Sequence, residues 1–144
     1  MDTSTLKIAV RYYSKGGNTA KLAKAVAEEL GVQALPVSAG LQEPVDLLFL
    51  GSSVYAAGVD AEVKDFIKNL SVPVGQLVNI STAAILDSTY NQVKKLAAEK
   101  NIPVSAKEYH CRGSFAFLHR GRPDGGDVAK VKAFARQVVD GVGG

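Results

Sequence analysis

The chain has no tryptophan, one cysteine and one methionine in 144 residues, and aromatic residues make up only 7% of it. A lone Cys111 cannot close an internal disulfide, so nothing staples the fold and a reducing, cytoplasmic setting is the expectation. The two histidines, His110 and His119, do not stand at a metal-ligand spacing with Cys111, so no metal site is expected. Uncharged apolar stretches all fall short of the roughly 18 residues that a membrane-crossing helix needs, and no charged, apolar and small-residue leader opens the chain. A strong excess of charge of one sign is lacking as well. The net charge is +3, and residues 1–72 carry seven Lys and Arg against eight Asp and Glu, while residues 73–144 carry ten against six. This surplus is interspersed with acids and far below the clustered basic face of a nucleic-acid binder, so neither nucleic acid nor membrane is an expected partner.

What is present is enough apolar material for one compact domain spanning residues 1–144, with 47% apolar and 22% charged residues. Leu6–Tyr13 is nearly continuous in apolar and β-prone residues and reads as a central first strand. A helix from about Thr19 to Leu30 carries Leu22, Val26 and Leu30 on one stripe and ends at Gly31, a residue suited to a left-handed cap. Val32–Val37 makes a short strand that Pro36 assigns to an edge. Val45–Leu50 is the clearest buried strand, and a helix with Val63, Phe66, Ile67 and Leu70 on one face follows, with Asp60 placed to cap it. Leu77–Ala84 reads as a fourth strand, followed by a helix to about Lys100 that Asp87 or Ser88 can cap. Val104–Cys111 is a fifth strand, and Asp127–Val139 the last helix, after which Gly-Val-Gly-Gly is expected to fray. Strands alternating with helices imply an α/β domain with a doubly wound, five-stranded parallel sheet covered on both faces.

Ligands of such sheets bind beyond the C-terminal strand ends. Three of those ends are rich in small residues: Ser14–Thr19, Ser52–Gly58 and Thr82–Asp87. In the first, Ser14-Lys15-Gly16-Gly17-Asn18-Thr19 joins a strand to a helix. Two glycines let backbone close around a small group, and Ser14, Asn18 and Thr19 offer short hydrogen-bonding side chains to an anion such as phosphate at the helix N-terminus. The alternative is that Asn18 or Thr19 only caps the helix and Gly16-Gly17 only turns the chain. The spacing matches neither the dinucleotide fingerprint nor a Gly-Lys-Ser/Thr nucleotide loop.

Tyr-Tyr-Ser-Lys-Gly-Gly-Asn-Thr resembles the flavodoxin phosphate loop, and Gly-Ser-Ser-Val-Tyr-Ala-Ala-Gly resembles the loop covering one face of the flavin in that family. The resemblance implies a flavodoxin-like, three-layer α/β/α fold of strand order 2-1-3-4-5 that holds FMN without a covalent bond. It assigns Ser14, Lys15, Gly16, Gly17, Asn18 and Thr19 to the phosphate loop. Ser53, Val54, Tyr55, Ala56, Ala57 and Gly58 match the inner flavin loop, with Tyr55 stacked on the ring. Thr82, Ala83, Ala84, Ile85 and Leu86 match the outer loop. The implied activity is transfer of low-potential electrons between redox partner proteins, with no catalytic residue of its own. Two other readings stand beside it: a small FMN-dependent oxidoreductase with its own substrate, and a flavodoxin-like interaction domain without cofactor. The chain departs from the family pattern at Gly16, where Thr is common, in an outer loop without an aromatic residue before Tyr90, and in its mildly basic balance. A receiver domain is disfavoured, because no paired acids precede Tyr13-Ser14 at the end of strand one and Gly51-Ser52 stands where a phosphoacceptor Asp would. A basic loop, Cys111–Pro123, with three arginines and two phenylalanines, is a candidate contact for an anionic partner or substrate.

Overall fold

Strand β3 (Val45–Tyr55) explains the architecture, because its side chains alternate between two separate hydrophobic cores. Leu47 and Phe49 point to one face of the sheet, where they meet Leu22 and Val26 of helix α1 (Asn18–Leu30) and Val131, Ala135 and Val138 of helix α4 (Gly125–Gly143). Leu48 and Leu50 point to the other, where they meet Val63 and Ile67 of helix α2 (Ala61–Lys68) and Val93 and Ala97 of helix α3 (Tyr90–Ala98). A strand buried on both faces has no polar face to show, which is why residues 47–50 form an unbroken apolar run. These observations come from a computed structural model that describes residues 6–14, 17–55, 58–83, 89–112 and 125–143. Within it, the side chains at positions 53–55, 58, 59, 83, 110–112 and 143 are not described.

The parallel part of the sheet runs β2-β1-β3-β5-β6, with β1 at Ile8–Tyr12, β2 at Ala34–Pro36, β5 at Val74–Ala83 and β6 at Tyr109–Arg112. Val10 pairs with both Ala34 and Phe49, and Phe49 pairs with Val78, so apolar residues fall in register across four neighbouring strands. Strand β2 is short and lies at the edge, ending at Pro36, whose missing N–H costs nothing where no further strand follows. From β2 the chain returns to β3 through a 3-10 turn, Val37–Ala39, so no α-helix covers this connection. Helix α1 stops at Gly31 with φ 71°, and the amide of Val32 donates to the Ala27 carbonyl at 2.9 Å, a left-handed closure that leaves no last-turn side chain to clash.

Several boundaries differ from the sequence expectations. The sheet has a sixth strand, β4 (Gly58–Val59), which folds back antiparallel on Val54 and Tyr55. Strand β5 begins at Val74, because Val74 pairs with Val45 and the Pro73 carbonyl accepts the Val45 amide at 3.2 Å. Val104 makes only an isolated bridge to Leu77, and continuous pairing waits until Tyr109. Helix α4 begins at Gly125 and continues to Gly143 rather than fraying after Val139. Its Arg136 guanidinium donates to both the carboxylate and the carbonyl of Glu29, at 3.1 and 2.9 Å, tying α4 to the end of α1. Asp60 does stand at the N-cap of α2, yet its side chain makes no capping bond. No helix among the described residues is long and apolar enough to cross a membrane.

Candidate functional site at the carboxyl ends of the central strands

Strand β1 ends at Tyr12, and Tyr13 stays tied to β3 through its amide, which donates to the Gly51 carbonyl at 3.1 Å. Ser14 follows, half-buried, and its hydroxyl accepts the Gly17 amide at 3.0 Å, closing a tight turn. Lys15 and Gly16 lie outside the described residues. Gly17 has φ 89° and occupies the N-cap of α1. A Cβ built on it would meet nothing within 4 Å, so the turn opens onto free space, and the left-handed backbone is the reason glycine is suited there.

The head of α1 differs from that of the other long helix. Gly17 has no side chain to cap the first amides, and the first turn carries no acidic residue, whereas α4 places Asp127 in its first turn. Positive partial charge at this N-terminus is therefore not offset by the helix's own acids. Such an end, set beside the last residue of a central parallel strand, is chemically suited to an oxyanion.

Thr19 behaves differently from its neighbours in the turn. It is fully buried, and its hydroxyl lies 2.9 Å from that of Thr82 in β5 while donating at 3.4 Å to the Ser52 carbonyl in β3. Across the sheet, the Ser52 hydroxyl lies 2.8 Å from that of Thr89, the N-cap residue of α3. Asn79 donates to the Thr89 hydroxyl at 2.9 Å, and the Thr89 amide donates to Ser81 at 3.4 Å. Thr19, Ser52, Asn79, Ser81 and Thr89 are all at 0% exposure and Thr82 at 2%, so a fully enclosed set of polar side chains spans both faces of the sheet at its carboxyl end. Buried hydroxyls and amides are tolerated because they satisfy one another. Asp87 and Ser88, expected to cap α3, lie outside the described residues, and Thr89 holds the cap position with its side chain turned to the sheet.

Ser53 pairs with Thr82 and Val54 with Ala83, so the chain leaves β3 and β5 side by side where the inner and outer loops were expected. Tyr55 ends β3 and Gly58 opens β4, while Ala56, Ala57, Ala84, Ile85 and Leu86 lie outside the described residues, as does 113–123 of the basic loop. The described residues among those expected at the site thus converge at the carboxyl ends of the central strands, with Thr19 and Thr82 facing inward. The sequence reading missed Asn79, Ser81 and Thr89, and named Ser52 only as the start of a turn rich in small residues. The signal was a set of small polar residues inside otherwise apolar strands, each of which needed a buried partner.

Beside Ser14, a cavity of about 570 Å3 opens between the 3-10 turn and α2, lined by Tyr13, Val37, Leu41, Phe66 and Leu70 with Glu62 and Asp65 also on it. Farther along β1, Arg11 is 8% exposed, donates to the carbonyls of Gly40 and Val10 at 2.8 and 3.0 Å, and has its pKa lowered by burial. Among the described residues, no group of three His, Cys, Asp or Glu is placed to hold a metal ion.

No protein-family model matches this sequence, and no curated protein matches it. Solved structures do. A flavodoxin from the domain Archaea superposes with a TM-score of 0.75 at 13% identity, over 96% of this chain and 100% of that one. An oxidised flavodoxin 2 from Bacillus cereus gives 0.67 at 16% identity, over 90% and 95%. The rubredoxin oxygen:oxidoreductase of the anaerobe Desulfovibrio gigas gives 0.71 at 13% identity, and there the match covers 94% of this chain but 35% of that longer one. The fold is flavodoxin-like, an α/β fold with a parallel sheet.

Proposed function

We propose that the protein binds FMN non-covalently at the carboxyl ends of β1, β3 and β5 and carries low-potential electrons between redox partner proteins. The observation that carries this reading is the head of α1. Its N-cap is a left-handed glycine facing open space, its first turn holds no acid, and it adjoins two strands that end in register. That is what a phosphate monoester needs: backbone donors, positive partial charge and room. The flavodoxin-like fold and the flavodoxin neighbours support FMN as the monoester.

On this reading the turn from Ser14 to Asn18 and the first amides of α1 hold the phosphate. Residues 53–58 and 82–86 supply the two faces around the ring, with Tyr55 as the aromatic partner, an arrangement worth about 0.5–1.5 kcal/mol beyond its buried area. When bound, the flavin supplies the one- and two-electron chemistry. The chain's own residues bind, orient and exclude water. Arg112, Arg120 and Arg122 are placed by sequence to meet an anionic partner surface.

A second reading, a small FMN-dependent oxidoreductase, is favoured by the cavity beside Ser14, whose apolar lining suits a small ligand. Purified protein tests the main reading. It is expected to be yellow and to release FMN on denaturation. A colourless protein that takes up no added FMN overturns the proposal and leaves a cofactor-less interaction domain. The enzyme reading predicts that small aromatic acceptors reoxidise the reduced protein with saturating kinetics, whereas a carrier reacts in proportion to acceptor concentration.

A further inference from the structure

Arg11 is a buried cation that no described residue neutralises. It stands in β1 in register with Leu35 of β2 and Leu50 of β3, on the face of the sheet that carries Ala9 and Leu50, and it is 8% exposed. The return from β2 to β3 covers it with a 3-10 turn and the segment after it in place of a helix. Nε donates to the Gly40 carbonyl and Nη1 to the Val10 carbonyl, while Nη2 makes no hydrogen bond to a described residue. Nor does a carboxylate among the described residues come within ion-pair distance of the guanidinium. Neutral carbonyls satisfy two donors but leave the charge in place, and burial accordingly pushes the pKa down. A charge taken out of water is ordinarily paired, because the lost hydration is replaced only by a counter-ion and its hydrogen bonds.

Room for that counter-ion lies beside it. Arg11 is in the wall of a cavity of about 320 Å3 at the β2 edge of the sheet, a volume suited to a small molecule. Leu35 and Leu41 give the cavity apolar wall, and Glu43, exposed, is the other charged residue on its lining. The overlying segment is held by the Arg11 bond to Gly40 and by the Gln42 amide, which donates to the Ala39 carbonyl at 2.8 Å, so the wall is set before a ligand arrives. We propose that this cavity binds a small monocarboxylate with a short apolar tail, whose carboxylate accepts from Nη2 of Arg11 and neutralises it. Glu43 restricts the ligand to one negative charge, since a second carboxylate would meet a like charge. None of the residues assigned to the flavin lines this cavity, so the proposal does not rest on the flavin reading.

The experiment uses the full chain and two probes of one shape, isovalerate and its neutral amide, titrated at neutral pH with backbone amide NMR shifts reporting both affinity and place. Isovalerate should bind at least about tenfold more tightly than isovaleramide, the gain from one hydrogen bond to a charged group. Shifts should centre on residues 9–11, 35 and 41–43 and spare residues 17–19. Glu43→Gln is an exposed change that leaves the packing alone, and it should tighten isovalerate about two- to fivefold without altering isovaleramide. Arg11→Met should make the two probes equal, and Arg11→Lys, which keeps the charge without the fork, should retain part of the preference. The wild-type and Glu43→Gln titrations decide the matter even where Arg11→Met is too unstable to use. Equal affinity of the wild-type chain for the two probes overturns the proposal, as does a carboxylate preference that survives in folded Arg11→Met or a Glu43→Gln chain with no gain. Shifts centred on residues 17–19 overturn it as well, because the acid then binds at the head of α1.

Discussion

Replacing Gly51 with alanine places a methyl group 2.8 Å from Thr19 Cγ2 and 3.2 Å from Tyr12 Cβ. Gly51 and Thr19 are both buried where α1 packs on β3, so Thr19 cannot move out to solvent. Nor can Thr19 turn its methyl away. Rotation about χ1 would carry its hydroxyl off Thr82 and Ser52, forfeiting hydrogen bonds worth about 1 kcal/mol each. The chain must instead push α1 outward, and overpacking of this kind costs about 1–3 kcal/mol. With a urea slope of about 2 kcal/mol per molar, the midpoint should fall by roughly 1 M. Thr19→Ser deletes the obstructing methyl, at a cost of about 1 kcal/mol on its own. In the double variant the alanine methyl occupies the vacated space, so the two costs should not add. We expect a coupling of about 1–2 kcal/mol in favour of the double variant. Circular dichroism is the probe, because the chain has no tryptophan. A Gly51→Ala variant as stable as wild type, or strictly additive costs, would refute the packing argument.

Three more outcomes follow from the same kind of geometry. Gly75→Ala should also destabilise, by at least as much as Gly51→Ala, because its Cβ would stand 2.6 Å from the Asp46 carbonyl oxygen, and backbone yields less readily than a methyl; urea midpoints rank the pair. Arg11→Met should cost about 1–3 kcal/mol by stranding the Gly40 carbonyl. Burial lowers the Arg11 pKa, so the charged form is disfavoured in the folded state wherever the group is protonated, and relief comes only as pH rises through the folded pKa. The Arg11→Met difference should therefore be the same at about pH 5 and about pH 9, since arginine stays charged across that window, and a difference that changes between those values contradicts it. Arg136→Met should lose about 1 kcal/mol or less, since both partners are part-exposed and screened, and Glu29→Gln should lose less still because the bond to the Glu29 carbonyl survives; thermal melts at low and high salt compare them.

Apolar patterning made the layers legible. The Val45–Leu50 run announced a strand buried on both faces, Pro36 announced an edge, and Gly31 announced where α1 stops. Each is a local signal whose meaning survives folding. Strand β4 was invisible because two residues pairing antiparallel with Val54 and Tyr55 leave no period to read, and by composition the segment is a turn of small residues. Strand β5 began earlier than expected because Gly75 and Gln76 break the apolar run, while its pairing is dictated by β3 next to it. At the site, Ser14 and Gly17 were identifiable from turn chemistry. The inward direction of Thr19 was not, since a threonine after a glycine turn has the same local signature whether it faces a ligand or a buried hydroxyl 63 positions away. Thr89 escaped for the same reason, because its partners Ser52 and Asn79 are brought to it only by the parallel register of β3 and β5.

Titrating the flavin-free chain with FMN and, separately, with riboflavin under identical salt and pH tests the central claim most directly. If the head of α1 is a phosphate site, FMN should bind one to one with quenching of its fluorescence, and riboflavin should bind at least about a hundredfold more weakly, the equivalent of two lost hydrogen bonds to a charged group. Equal affinity for the two flavins, or no binding of either, would contradict it.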